Sequence, residues 1–360
     1  MAASPVAAAA AAAGAAGAMS MKTTRIALAD WCHRAGLGRG GTKRELARRL
    51  YAHLAGYGGA VSVATASAGL ALAHDHLAVA LVAPATRTPS AAQMSPAAAE
   101  APYAFLAPLR QYGPFTMTHM AMQPTGLRLT GGAAWAPETA ARPLRAALRA
   151  LPLGGTVVAV PRQPVPVGAA AGYRLRRVAA EAMLFAMLHE WQLAAAAAAA
   201  ATSRPAHAET TAWPAPVAVR SMTAPSLRHF FDLNGRDAVR SLDEPGDDPD
   251  AHGIAAVSAD AAPLTSPSMR RSLRKRQAVG TVNLLIDNGL LVADADAARL
   301  EQWEWCMGPP DAMADAILAA LAQWCWLAAH SAIRAEIGPL DRLAAIAAGP
   351  PNGARARRGL

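Results

Sequence analysis

Apolar residues in the first charged stretch of the chain recur at helical spacing. Leu28, Cys32 and Ala35 fall at i, i+4 and i+7, which predicts a helix with one apolar face. Gly36-Leu37 ends it, and Gly38-Arg39-Gly40-Gly41 is too glycine-rich to continue it. Thr42 followed three residues later by Glu45 spells a capping box, so a second helix starts there and buries Leu46, Leu50 and Leu54. Residues 24–54 are thus expected to form a helical hairpin.

After the hairpin the pattern weakens. Residues 55–100 read as an Ala/Gly/Pro-rich linker with two short strand-like runs, Val61–Thr65 and Leu77–Val82; its last part, Pro84–Ala101, is the most linker-like. Further on, Leu127–Thr130 and Thr156–Val160 suggest short strands. Tyr173–Ala201 predicts a long helix carrying Met183, Leu184, Met187, Leu188 and Trp191, stopped by Pro205. Residues 243–253 form an acidic Asp/Pro/Gly loop. Thr281–Ile286 and Leu290–Ala293 flank Asp287-Asn288-Gly289, and Asn-Gly between apolar runs predicts a β-hairpin. A second long helix is expected over Asp311–Ile337, with Ile317, Leu321, Trp324 and Ala328 at helical spacing, and a short third helix up to Ala348. The expected fold class is multidomain: a small all-α hairpin at 24–54, then a mixed α/β (α+β) region over 101–348 with two long helices and a C-terminal hairpin. An Ala/Gly-rich tail (1–22) and a basic tail (349–360) flank them.

Composition adjusts this picture in one respect. Of the 360 residues, 53% are hydrophobic, but 95 are alanine, so the supply of large apolar side chains is ordinary. The nearest candidate for a membrane span, Ala312–Ile333, is interrupted by Asp315, Gln323 and His330, and no membrane role is expected. Cys32, Cys306 and Cys325 include no CxxC pair and are too few for a disulfide framework. Charge is the more informative quantity. The chain carries +9, and residues 1–60 hold eight basic against two acidic residues, or +6. A GC-rich gene would produce both the alanine and the arginine excess, so the location of the charge is more telling than its amount.

That location coincides with the hairpin, and together they resemble the SAP motif, a helix–turn–helix module of DNA- and chromatin-associated proteins. Leu28, Cys32, Leu37, Gly41, Lys43, Leu46, Arg49 and Leu50 follow the family pattern without a gap, with Cys32 in place of the commoner leucine. The resemblance covers about 31 residues and implies binding of DNA, or alternatively RNA, through the phosphate backbone. A cationic face beside a helix N-terminus suits such contacts. Arg39, Gly40, Gly41, Thr42, Lys43, Arg44, Arg48 and Arg49 are the candidate contact residues.

Other signals are weighed against plainer readings. Arg270, Arg271, Arg274, Lys275 and Arg276 could form a nuclear localisation signal or a second phosphate-binding patch, or a solvated charge run. Gly36, Gly38 and Gly41 spell GxGxxG, but a helix precedes them and no acidic residue follows at the ribose-binding spacing, so no dinucleotide is expected. His74 and His76 lack a third ligand nearby in sequence, and the acidic residues at 243–250 do not follow calcium-loop spacing. Trp303, Trp305, Trp324 and Trp326 read as core or a partner surface. No GxSxG, P-loop or HExxH occurs. The expectation is a nucleic-acid-binding protein that needs no metal or cofactor, with a protein partner for residues 101–348. The alternatives are a structural RNA-binding subunit of an organellar ribonucleoprotein, such as a mitochondrial ribosome, and a processing enzyme targeted by the hairpin. The basic run points to the nucleus, with the mitochondrion as the other candidate compartment.

Overall fold

The alanine-rich stretch read as a linker forms the middle of a β-sheet. A computed structural model describes residues 23–61, 64–73, 75–85, 106–127, 129, 136–162, 170–201, 215–231, 233, 267–293 and 310–349. Within them, β1 (Ala66–Leu72) pairs antiparallel with β2 (His76–Pro84), in register Leu72↔Leu77 through Ser67↔Val82. The first strand therefore begins at Ala66, not at Val61, which is the last residue of a helix. β2 pairs antiparallel with β3 (Phe115–Pro124), and β1 pairs parallel with β4 (Thr156–Arg162). β5 (Ala218–Thr223) extends the sheet beyond β4, and β6 (Leu291–Ala293) extends it beyond β3, both parallel to their neighbours. The order is β5-β4-β1-β2-β3-β6. The mixed α/β class of the 101–348 region holds, but its sheet is completed by strands from outside that region.

β1 and β2 were hard to recognise because both of their faces are buried, and the two faces differ in side-chain size. Leu70, Leu72, Leu77, Val79 and Leu81 point to one face, where they pack against α4 (Pro137–Arg149) and α5 (Ala171–Ala201). Ala71, Ala78 and Ala80 point to the other, beneath α8 (Pro310–Ile337). Small side chains let this helix lie close to the sheet. A Cβ on Gly69 would stand 1.8 Å from the Ala316 carbonyl oxygen. The alanines here are a packing device. The 18-residue apolar window of α8 is long and apolar enough to cross a membrane, but 83% of it is buried within the protein, as in a core helix.

Two sequence expectations fail here. The β-hairpin at 281–293 is instead the end of a helix, α7 (Pro267–Asp287), followed by β6. Ala278, Val282 and Leu285 recur at helical spacing and are buried. Asn288-Gly289 terminates that helix: Gly289 has φ +63°, its amide donates to Ile286, and Leu290 N donates back to the Leu285 carbonyl at 2.9 Å. Asn-Gly tolerates positive φ in either setting, so the dipeptide alone could not distinguish a turn from a helix stop. Of the strand expected over Leu127–Thr130, only Leu127 and Leu129 are described; both lie in irregular chain, buried with residues of α4. The long helices, β4 and the short helix α9 (Leu340–Ala348) are found where expected. Tails 1–22 and 350–360, most of Pro84–Ala101, and the acidic loop lie outside the described residues.

The helical hairpin is present as α1 (Arg25–Arg34) and α2 (Lys43–Val61). Its core of Leu28, Cys32, Leu46, Leu50 and Leu54 continues into Ala329, Ile333 and Ile337 of α8 and into Leu343 and Ala347 of α9. Glu336 fixes the contact: its carboxylate accepts two bonds from Arg34, at 2.7 and 2.9 Å, and one from Trp31 Nε1 at 2.7 Å. Partial burial would raise the Glu336 pKa, but the bonds from Arg34 and Trp31 outweigh it and hold the carboxyl below its usual range. Short α3 (Leu106–Tyr112) and α6 (Ala224–Phe230) complete the structure among the described residues.

Candidate nucleic-acid interface

The hairpin turn is built from its own polar groups. Thr24 Oγ1 accepts from Ala27 N and caps α1. Thr42 and Glu45 form the expected capping box: Thr42 N donates to Glu45 Oε2 at 2.8 Å, and Glu45 N donates to Thr42 Oγ1 at 3.3 Å. The bonds from the Thr42 amide and hydroxyl lower the Glu45 pKa, which keeps the cap charged. Arg49 donates to the carbonyls of Gly38 and Gly40, and Arg25 donates to that of Gly41 at 3.0 Å. Two guanidiniums therefore clamp a glycine-rich turn in which Gly36 and Gly41 take positive φ.

This sorts the candidate contact residues. The Thr42 amide and hydroxyl serve the cap, so they do not present the free helix N-terminus expected for phosphate binding. Arg44 Nε donates to the Ala347 carbonyl at 2.8 Å and ties α2 to α9. Cys32 is a core residue: burial raises its thiol pKa to about 11, against the opposing field of Arg49, and its Sγ–H points at the Leu46 carbonyl. Arg39, Lys43 and Arg48 remain as exposed cations, with Gly40 beside them.

A groove of about 1020 Å³ separates the turn from the body of the protein. The hairpin supplies His33, Arg39 and Arg49 to one wall; Arg220 of β5 and Arg228 of α6 stand on the other. Ser221, Thr223 and Ser226 add hydroxyls, and no acidic residue is among the described residues that line it. Gly36 allows the turn to press on Trp326, since a Cβ there would lie 2.2 Å from the indole. Arg220 is 8% exposed; it stacks over Trp326 at 4.8 Å and donates to the Ala35 carbonyl at 3.2 Å. A nearly buried guanidinium on an aromatic face is attracted by the ring and still carries its full charge.

The second basic patch approaches the groove through one residue, Arg274, which acts on Arg228. Partial burial, and then the neighbouring Arg274 guanidinium, lower the Arg228 pKa. Arg274 lies on α7, so the run at 270–276 is part of a folded helix; the side chains of Arg270 and Arg271 lie outside the described residues. Lys275 pairs with Asp311 at 2.5 Å, and Arg276 is exposed. No residue of that run is among the described residues that line the groove; the two distant segments that meet there are the hairpin and the stretch from Arg220 to Phe230. Arg220 and Arg228 were not foreseen. A signal for the elements that carry them existed after Ala218–Thr223, where Thr223 with Pro225 two residues on marks a helix start. Thr223 Oγ1 accepts from Ser226 N and starts α6.

The remaining candidates resolve as core or surface. Trp324 and Trp326 are buried; Trp303 and Trp305 lie outside the described residues. His76 contacts Asp75 at 2.5 Å, His74 lies outside the described residues, and no group of three metal-binding side chains occurs among those described.

No family model matches the sequence, and no curated protein matches it. Among solved structures, the yeast mitochondrial Holliday junction resolvase Ydc2 aligns over 85% of this chain and 95% of its own, at 16% identity and a TM-score of 0.44. That TM-score does not establish a shared fold.

Proposed function

We propose that this protein binds nucleic acid, with the sugar–phosphate backbone crossing the groove between the SAP-like hairpin and the β5–α6 corner. The observation that carries the reading is the groove's lining: among the described residues it gathers four arginines and a histidine from two distant parts of the chain. Positive charge gathered in a concave surface concentrates a polyanion. The resemblance of residues 24–54 to the SAP motif supports the same ligand class and favours DNA, with RNA as the other polymer. Arg39, Lys43 and Arg48 meet phosphates at the rim; Arg49 and Arg44 hold the rim in shape.

The test is a binding titration of the full chain against DNA at a series of salt concentrations. The full chain is required because the hairpin shares its core with α8 and α9. About four backbone contacts give a slope of log K on log salt near −3. Arg39→Glu combined with Lys43→Glu removes most of the binding. Salt-independent binding, or no change in that double variant, overturns the proposal.

A further inference from the structure

We infer that the strand held in this groove is unpaired, with one base against the aromatic floor. The inference rests on the proposal of nucleic-acid binding and narrows its ligand. A duplex meets a protein through phosphates on its outer surface, for which an exposed cationic rim is enough. This groove has more than a rim. Its floor holds Phe230, half-buried and the ring a base can meet; it is backed edge-to-face at 5.7 Å by Trp326, which Gly36 and Arg220 cover. The Trp326 indole N–H is buried with no hydrogen-bond partner among the described residues. Leu37 and Met222 give the same floor an apolar surface.

Arginines on the walls and aromatic rings between them are the combination that holds single strands, the backbone following the charge while bases stack below. The groove's volume of about 1020 Å³ is at the upper end of small-ligand sites, so it admits a nucleotide unit with its base. Ser221 and Thr223 line the same groove and add polar groups to it. Stacking of this kind is tolerant of sequence, because every base has a π-face.

The experiment compares the full chain's affinity for a labelled 20-nucleotide oligothymidine, an RNA oligonucleotide of the same length, and a 20-base-pair DNA duplex, at equal salt. The expected result is tighter binding of the single strands than of the duplex, with the DNA and RNA arms showing which sugar is preferred. Phe230→Leu keeps the apolar volume and weakens single-strand binding by about 5- to 150-fold, the loss expected for one stacked base. Its thermal unfolding is measured alongside, so that a folding defect is seen as such. Duplex binding equal to or tighter than single-strand binding overturns the inference and leaves the polyanion reading standing. A normally folded Phe230→Leu variant with unchanged single-strand affinity also overturns it. Failure of all three ligands to bind sinks the broader reading instead.

Discussion

The hairpin and the seam between α8 and the sheet are both buried interfaces, and they are built from opposite materials. In the hairpin, Leu28, Leu46, Leu50 and Leu54 fill space with large side chains while arginines hold the turn from outside. In the seam, Gly69, Ala71, Ala78 and Ala80 leave space, and the backbone of α8 occupies it. Large side chains announce themselves in sequence by periodicity; small ones do not, because alanine is equally at home in a linker, a helix surface or a close-packed seam. Filling and leaving space also fail differently when altered.

The largest effect is expected at Gly69. Gly69→Val drives two methyl groups toward the Ala316 carbonyl and costs at least about 3 kcal/mol, beyond ordinary overpacking, or abolishes folding. Chemical unfolding checks this, and a stable Gly69→Val protein would show that α8 does not depend on the close approach. Next is Leu46→Ala, which removes a fully buried side chain and costs about 2–5 kcal/mol. Because its cluster includes Ile333, Ile337 and Leu343, hydrogen exchange should quicken in α8 and α9 as well as in the hairpin. Quickening in α1 and α2 alone would mean the hairpin is energetically separate.

A third prediction concerns pH. His53 of α2 and His330 of α8 meet edge-to-face at 5.9 Å. Burial, then Arg220 and His330, lower the His53 pKa to about 3, and His330 is also lowered, chiefly by burial. An unfolded histidine titrates near pH 6.5, so below that pH the unfolded state takes up a proton that the folded state refuses. The stability contributed by neutral His53 is complete above pH 6.5. It is lost by about 1.4 kcal/mol per pH unit as pH falls toward 3. His53→Leu should flatten that part of the stability–pH curve; an unchanged slope would assign the acid sensitivity elsewhere. The smallest effect is at the cap, where Thr42→Ala should cost about 1 kcal/mol in thermal unfolding without altering the seam.

The same contrast explains what could be read from the chain. The hairpin, its capping box, the two long helices and β4 were legible because their apolar spacing or cap chemistry is local. β2 was legible in its Leu77–Val82 run, where Leu77-x-Val79-x-Leu81 carries the strand period, but β1 was read as linker because its seam-facing half is alanine and glycine and only Leu70-x-Leu72 marks the other face. Asn288-Gly289 was read as a strand turn because its dihedral tolerance serves helix ends equally well. Half of the groove was legible as charge at Arg39 and Arg49. The other half was not, since Arg220 and Arg228 are isolated basic residues in sequence and only the parallel pairing of β4 with β5 brings them opposite the hairpin.

Two distant segments make one binding surface, and single substitutions on opposite walls test this most directly. With nucleic acid titrated at several salt concentrations, Arg39→Gln and Arg228→Gln should each weaken binding and each reduce the steepness of the salt dependence by about one contact. Weakening by Arg39→Gln with no response to Arg228→Gln would confine binding to the hairpin and contradict the shared groove.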